Sequence, residues 1–290
     1  MFRLALVCFL FTVCASLRAQ TTEQKHEYEG SDELPVVKID GESVKIHSQG
    51  LFVTKESYLV TGRLEAKPKR ASLLRFSRTD DSHELFDITP KEIGGKTLDH
   101  PGGFDMDEKG RFWIPLSTSN RAGPSLICAY EIEEEQPLSN ASLAFTFDVD
   151  DHIGAVCCVG DRLYGANWDT KSVYVWDRKG KLERKIDRGK LFAQTPDWQV
   201  AVQDWKHLEV DGKADRIILG GIDKSNLLRR ATVQVIDPMR WEIVESYTLD
   251  QRKDVKRPLT NEGLCVQDGK LYLLPEDIGD GAKVLRFTEP

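Results

Sequence analysis

Asp99-His-Pro-Gly-Gly-Phe-Asp-Met-Asp-Glu-Lys-Gly-Arg-Phe-Trp-Ile-Pro115 carries a short alternating run, a turn at Asp107 to Gly110, and a second run. That pattern is a strand, a tight hairpin and another strand. It recurs at His47 to Val60, His152 to Gly165, Asp204 to Leu219 and Asn261 to Leu274. The intervals His47–His100, His100–His152, His152–Asp204 and Asp204–Asn261 are 53, 52, 52 and 57 positions. A repeat of this size holding four short strands is the signature of a propeller blade.

The expected fold is therefore all-β, a five-bladed β-propeller, with six blades as the fallback because Asp187 to Val202 is long enough to hide more structure. The fifth unit is one strand short. Val36 to Asp40 supplies the strand left over, and pairing it beside Lys283 to Thr288 would close the ring without an open edge. Gly50, Gly103, Gly154 and Gly263 open four of the innermost strands, where backbones approach closely; His207 opens the fourth.

Residues 1–19 read as a secretory signal peptide: Arg3, an apolar run from Leu4 to Ala15, and small-residue cleavage after Ala19. The run is too short to span a membrane. Residues 20–34 form a flexible polar leader, and 35–290 the propeller domain. The expected destination is the periplasm or the medium. Cleavage removes two Arg and no acids, taking the formal charge from −7 to −9. That charge argues against nucleic acid or an anionic membrane as partner. The remaining cysteines, Cys128, Cys157, Cys158 and Cys265, lie in apolar strand runs and read as buried thiols.

The loops entering the innermost strands meet at one mouth of a propeller. They hold four of the six histidines. His47, His100, His152, Asp204 and His207 are the expected metal ligands, with Glu262 and His152 as acid–base groups. Imidazoles mixed with carboxylates suit one divalent ion, zinc or another transition metal before calcium. The competing reading is that these groups cap strand ends. Loops between second and third strands flank the same mouth, and there Arg121, Asn167, Trp168 and Glu276 are the expected ligand-binding residues.

Gly103-Phe-Asp-Met-Asp-Glu-Lys-Gly-Arg-Phe-Trp113 resembles the blade motif of gluconolactonase-like propellers. Asn261-Glu-Gly-Leu264 and Lys270-Leu-Tyr-Leu-Leu-Pro-Glu-Asp277 are similar to a run in secreted esterase-like, phytase-type propellers. The resemblance implies a secreted bacterial branch of the propeller superfamily. It also implies a divalent metal held by Glu, Asn and Asp at the mouth, parts that only Glu262, Asn167 and Asp204 could play. The His-rich ring departs from that pattern. Two functions stay open. One is a metal-assisted hydrolase of an ester, lactone or phosphoester. The other is a non-catalytic propeller that binds a small polar molecule, glycan, peptide or protein.

Overall fold

The computed structural model describes residues 26–90, 95, 97–209, 215–225 and 230–288. Five antiparallel sheets surround one axis. Blade 1 runs Ile46–Val53, Ser57–Leu64, Arg70–Ser77 and His83–Asp87 from the axis outward. Blade 3 runs Ile153–Val159, Arg162–Asn167, Ser172–Asp177 and Leu182–Asp187. Blade 4 runs Val200–Leu208, Arg216–Asp223, Arg230–Asp237 and Glu242–Thr248. Five apolar clusters fill the five seams between neighbouring blades, including the seam between blades 5 and 1. Five blades are thus fixed by packing as well as by sequence period. The segment after Asp187 adds no sixth blade: its Leu191, Phe192 and Trp198 fill the seam between blades 3 and 4.

Blade 2 shows why the opening stretch folds as it does. Asp107 Oδ1 accepts the backbone N–H of Lys109 and of Arg111 at 2.9 and 3.0 Å, and its Oδ2 accepts the Trp113 indole N–H at 2.9 Å. Gly110 supplies the left-handed residue that ends the turn, at φ 76°. Asp177 and Asp237 clamp the corresponding turns of blades 3 and 4 in the same way. The inner strand of this blade is split into His100–Pro101 and Asp105–Met106, both paired with Arg111–Ser117. Between the two pieces Gly102 N–H still donates to Pro115 O at 2.9 Å, and Gly103 turns to the inner strand of blade 3. Gly103 N–H donates to Gly154 O, and Val156 N–H to Gly103 O, each at 2.9 Å.

Blade 5 closes the ring, but with a different strand from the one expected. Tyr28–Glu33 pairs with Lys283–Thr288, outside Lys270–Leu274 and Gly263–Gln267. Val36 to Asp40 does not pair there. Lys38–Ile39 folds on Glu42–Ser43 in a small hairpin turned by Asp40 and Gly41, both at positive φ. The polar run 28–33 looked like leader because an outermost strand is half exposed and needs no apolar alternation. The expected leader therefore ends before Tyr28. Residues 1–19 lie outside the described residues. No helix among the described residues is long and apolar enough to cross a membrane. Cys128, Cys157, Cys158 and Cys265 are buried free thiols, as their apolar surroundings implied.

The axis is filled. Asp204, fully buried in the inner strand of blade 4, accepts the N–H of Leu51 and of Leu264 on Oδ2, each at 3.0 Å. Its Oδ1 accepts the Lys206 ammonium at 2.5 Å. Asp105 of blade 2 accepts the N–H of Cys158 at 3.0 Å and of His207 at 2.9 Å. Two carboxylates thus tie inner-strand backbone of all five blades. A Cβ on Gly103 would stand 2.5 Å from Asp204 Oδ1, which is why only glycine fits there.

Candidate functional site

The inner strands of blades 1, 3 and 4 each carry a β-bulge near the mouth. The bulged residues are Gln49, Gly154 and Gln203. A bulge leaves one residue out of the ladder and re-aims it. Here all three border one cavity of about 210 Å³, with His47, His100, His152, Trp168, Asp169, Arg257, Asn261 and Glu262. The cavity sits where the five inner strands begin.

His47 Nδ1 is 2.9 Å from Asp277 Oδ1, and Gln49 Nε2 is 2.9 Å from His47 Nε2. An amide nitrogen can only donate and an ionised carboxylate can only accept, so these partners favour the Nδ1–H tautomer. His152 Nδ1 is 2.9 Å from the Asn120 carbonyl, and its Nε2 is buried without a hydrogen-bond partner. The rings of His47, His100 and His152 stand in a row, with centroids 5.7 and 5.9 Å apart. Burial first, then the neighbouring His47 and Arg63 charges, push the His100 imidazole down to about 3. Burial also holds His152 below the usual histidine range, against the pull of Asn120 and Asp151. Both are neutral near pH 7.

Arg257 sits beside two carboxylates. One guanidinium nitrogen is 2.8 Å from Glu262 Oε1, another 2.8 Å from Asp277 Oδ2. One cation serves two buried acids, so their pKa values separate. Burial, reinforced by the Asp277 charge, pushes Glu262 well above the ordinary carboxyl value, against the pull of Arg257 and Asn261. Burial also opposes ionisation of Asp277, but His47 and Arg257 outweigh it and hold that carboxyl below the usual range. The surroundings thus favour the charged form at Asp277 and the protonated form at Glu262. His47, Glu262 and Asp277 offer ligand atoms within 4.8 Å of one another, a candidate metal-binding triad.

Of the residues expected at the mouth, His47, His100, His152, Glu262 and Trp168 line the cavity. Asp204 does not, because it is spent on the axial backbone bonds. His207 stands at the far end of its strand: that strand begins at Val200, not at His207, and the imidazole Nε2 is 3.0 Å from Asp215. Asn167 is used locally, donating to Asp151 at 2.8 Å and accepting the Ser172 N–H at 2.7 Å. Glu276 accepts the Lys256 N–H at 2.8 Å and does not border the cavity; its neighbour Asp277 bonds His47 and Arg257 instead. Arg121 stands at the rim, its guanidinium 4.9 Å from the centroid of Trp168. Asn167 and Asp204 therefore do not join Glu262 in the ligand set that the resemblance implied. Arg257, Gln49 and Gln203 went unforeseen. The one trace of Arg257 in the sequence is the longer fourth interval, whose extra residues form the loop that delivers it.

The sequence model of DUF6454, a family of unknown function, matches residues 5–226. No curated protein matches the sequence. Among solved structures, a glutaminyl cyclase of Myxococcus xanthus is similar at 12% identity and TM-score 0.54, over 91% of this chain and 97% of that one. A luciferin-regenerating enzyme is similar at 10% identity and TM-score 0.50, over 87% and 79%. The sialidase of Trypanosoma rangeli is similar at 12% identity and TM-score 0.50, over 88% of this chain and 46% of that one. At these identities the likeness is one of fold.

Proposed function

The chain belongs to the DUF6454 family, and we propose that it is an exported hydrolase of a small polar ester, lactone or phosphoester, with Glu262 as its general acid. The observation that carries this reading is the pair Glu262 and Asp277: two carboxyl groups that share Arg257, the first of them on the cavity wall, pushed in opposite directions by their surroundings. Environments that separate two such values divide the roles of proton donor and charged partner. Glu262 is the carboxyl whose protonated form is favoured, and it faces the cavity. Protonating the leaving oxygen while water adds to the acyl or phosphoryl centre gives an alcohol and an acid, and solvent returns the proton. Asp277, kept ionised, orients His47 and holds Arg257. A cavity of about 210 Å³ admits a small molecule, below the usual range of roughly 300–1,000 Å³ for drug-sized ligands. Solved structures with this fold include three named as enzymes, a cyclase, a luciferin-regenerating enzyme and a sialidase, so the architecture can carry chemistry.

The test is a panel of chromogenic acyl esters, lactones and phosphoesters, with wild type against Glu262→Gln. The expected result is turnover of one class and a fall in kcat of about 10²–10⁴ in the variant with KM little changed. Equal activity in Glu262→Gln would remove the acid from the mechanism. A second reading, a non-catalytic glycan-binding propeller, is favoured by the Trp168 face under Arg121 at the rim. It predicts glycan binding that Glu262→Gln leaves intact and Trp168→Ala abolishes, with no turnover. Export rests on the N-terminal pattern in residues 1–19. An intact Met1 on secreted protein would contradict it.

A further inference from the structure

We infer that the ligand of the mouth cavity is a neutral hydrogen-bond donor: an ester or lactone that carries hydroxyl groups. Its acceptors are His152 Nε2 and the side-chain oxygens of Gln49, Gln203 and Asn261, all on the cavity wall. The scissile bond rests on the hydrolase reading; the binding test below does not.

His152 carries the inference. It is 1% exposed, it lines the cavity, and its Nε2 has no hydrogen-bond partner among the described residues. Its Nδ1 is 2.9 Å from the Asn120 carbonyl. A carbonyl can only accept, so Nδ1 holds the hydrogen and Nε2 presents a lone pair. The residue is pinned on three sides. Its backbone N–H donates to Asp151 Oδ1 at 2.8 Å, its carbonyl accepts the Trp168 N–H at 2.9 Å, and the Trp168 ring stands edge-on to the imidazole at 5.1 Å. Buried lone pairs are rarely left without a donor. What this atom takes from a ligand is an O–H or an N–H.

Three side-chain amides on the same cavity have the same demand. Gln49 Nε2 is 2.7 Å from the Ser48 carbonyl, 2.9 Å from His47 Nε2 and 3.3 Å from Glu262 Oε2. Asn261 Nδ2 donates to Glu262 Oε1 at 2.6 Å, and Gln203 Nε2 to the Ala201 carbonyl at 3.3 Å. Each amino group is thus turned to the protein, and no described residue bonds the side-chain oxygen of any of the three. Amide oxygens only accept. Together with His152 Nε2, the wall offers acceptors from four residues of three blades and one loop to a single ligand.

Charge decides against an ionic ligand. Among the described residues that line the cavity, Arg257 bonds both Glu262 and Asp277, at 2.8 Å each, and Asp169 is paired with Lys224. No lining cation is left over for a phosphate, and no lining carboxylate for an ammonium group. Arg121 lies against Trp168 at the rim and does not border the cavity. A phosphoester would bring acceptors to acceptors, whereas a hydroxyl brings the hydrogen that each lone pair takes. Gly154 leaves room for it: a Cβ there would meet only Ala166 O, at 3.8 Å. Of the three substrate classes, the phosphoester drops out, and the ester or lactone is a hydroxylated one.

Erythritol is the probe. Saturation-transfer NMR on the full-length protein measures its binding beside that of its fully O-methylated ether, methyl phosphate and putrescine. The expected result is erythritol bound with a Kd of roughly 1–10 mM, as a ligand of this size allows, and at least about tenfold tighter than the others. His152→Phe and Gln203→Leu should each weaken it about tenfold, and His83→Ala, on an outer strand, should leave it unchanged. Gln203→Leu keeps the His152–Asn120 bond, so the test does not hang on His152→Phe folding. Equal binding of the ether, tighter binding of methyl phosphate or putrescine, or an unchanged Kd in both variants would overturn the inference. So would the absence of erythritol binding. In the ester panel, para-nitrophenyl hydroxyacetate should exceed the acetate in kcat/KM, each relative to its uncatalysed rate, by at least about tenfold. Erythritol binding with no turnover would remove the hydrolase reading and keep the donor rule, and turnover without that preference would do the reverse.

Discussion

His47 Nδ1 and Asp277 Oδ1 lie 2.9 Å apart, a hydrogen bond between the first blade and the last across 230 positions of sequence. Strand pairing closes the ring at its rim, where Tyr28–Glu33 meets Lys283–Thr288. The His47–Asp277 bond closes it again at the mouth. It also links two lines of the site, because Asp277 shares Arg257 with Glu262. Protonation at one residue is therefore felt at the other.

That coupling has a sign. The Asp277 charge is the second cause, after burial, of the raised Glu262 value. Asp277→Asn should lower the Glu262 titration midpoint, read by ¹³C-carboxyl NMR, by about one unit or more, since Arg257 then serves Glu262 alone. Stability follows the opposite carboxyl. The folded-state value of Asp277 is depressed, so its contribution is present above the unfolded value near pH 4 and is lost as pH falls through the lower folded value. Urea unfolding should show Asp277→Asn weaker than wild type by about 2 kcal/mol at pH 6. The gap should close toward pH 2. A gap of constant size, or an unmoved Glu262, would show the two carboxyls to be independent.

The axial pair offers a stability test. Asp204→Ala removes the acceptor of two buried N–H groups and leaves Lys206, 2% exposed, as an unpaired charge. The expected loss is about 3–5 kcal/mol in chemical denaturation. Adding Lys206→Met to it should recover part of that loss, because the stranded cation is then gone. A double variant less stable than Asp204→Ala would mean that Lys206 is held by something other than Asp204.

The closing strand can be removed. A chain beginning at Leu34 lacks Tyr28–Glu33 and leaves Lys283–Thr288 as an open edge of blade 5. An unpaired edge invites pairing with another chain. Light scattering should show concentration-dependent association that a chain beginning at His26 does not show. Equal monodispersity of the two would mean that the edge is blunted some other way.

The sequence by itself determined the number of blades, because a period near 52 residues repeats and each repeat spends its apolar residues on two sheet faces that only neighbouring blades can cover. It determined the turns, since Asp107 and Gly110 each have one conformational use there. It placed three histidines and Glu262 at the mouth, because strand starts fall at one end of a propeller. What it left open was decided by register. Side chains alternate along a strand and a bulge resets the alternation, so one position decides between the cavity and the axis: Gln203 faces the mouth and Asp204 the interior. Asp277 and Glu276 part in the loop after Lys270–Leu274, where the first turns to His47 and the second to the Lys256 N–H. His207 went astray because Val200–Leu208 is one nine-residue strand whose start carries no polar marker. Arg257 was beyond reach of sequence, since a loop residue bonded to two carboxylates is recognisable only once the ring has closed and brought both to it.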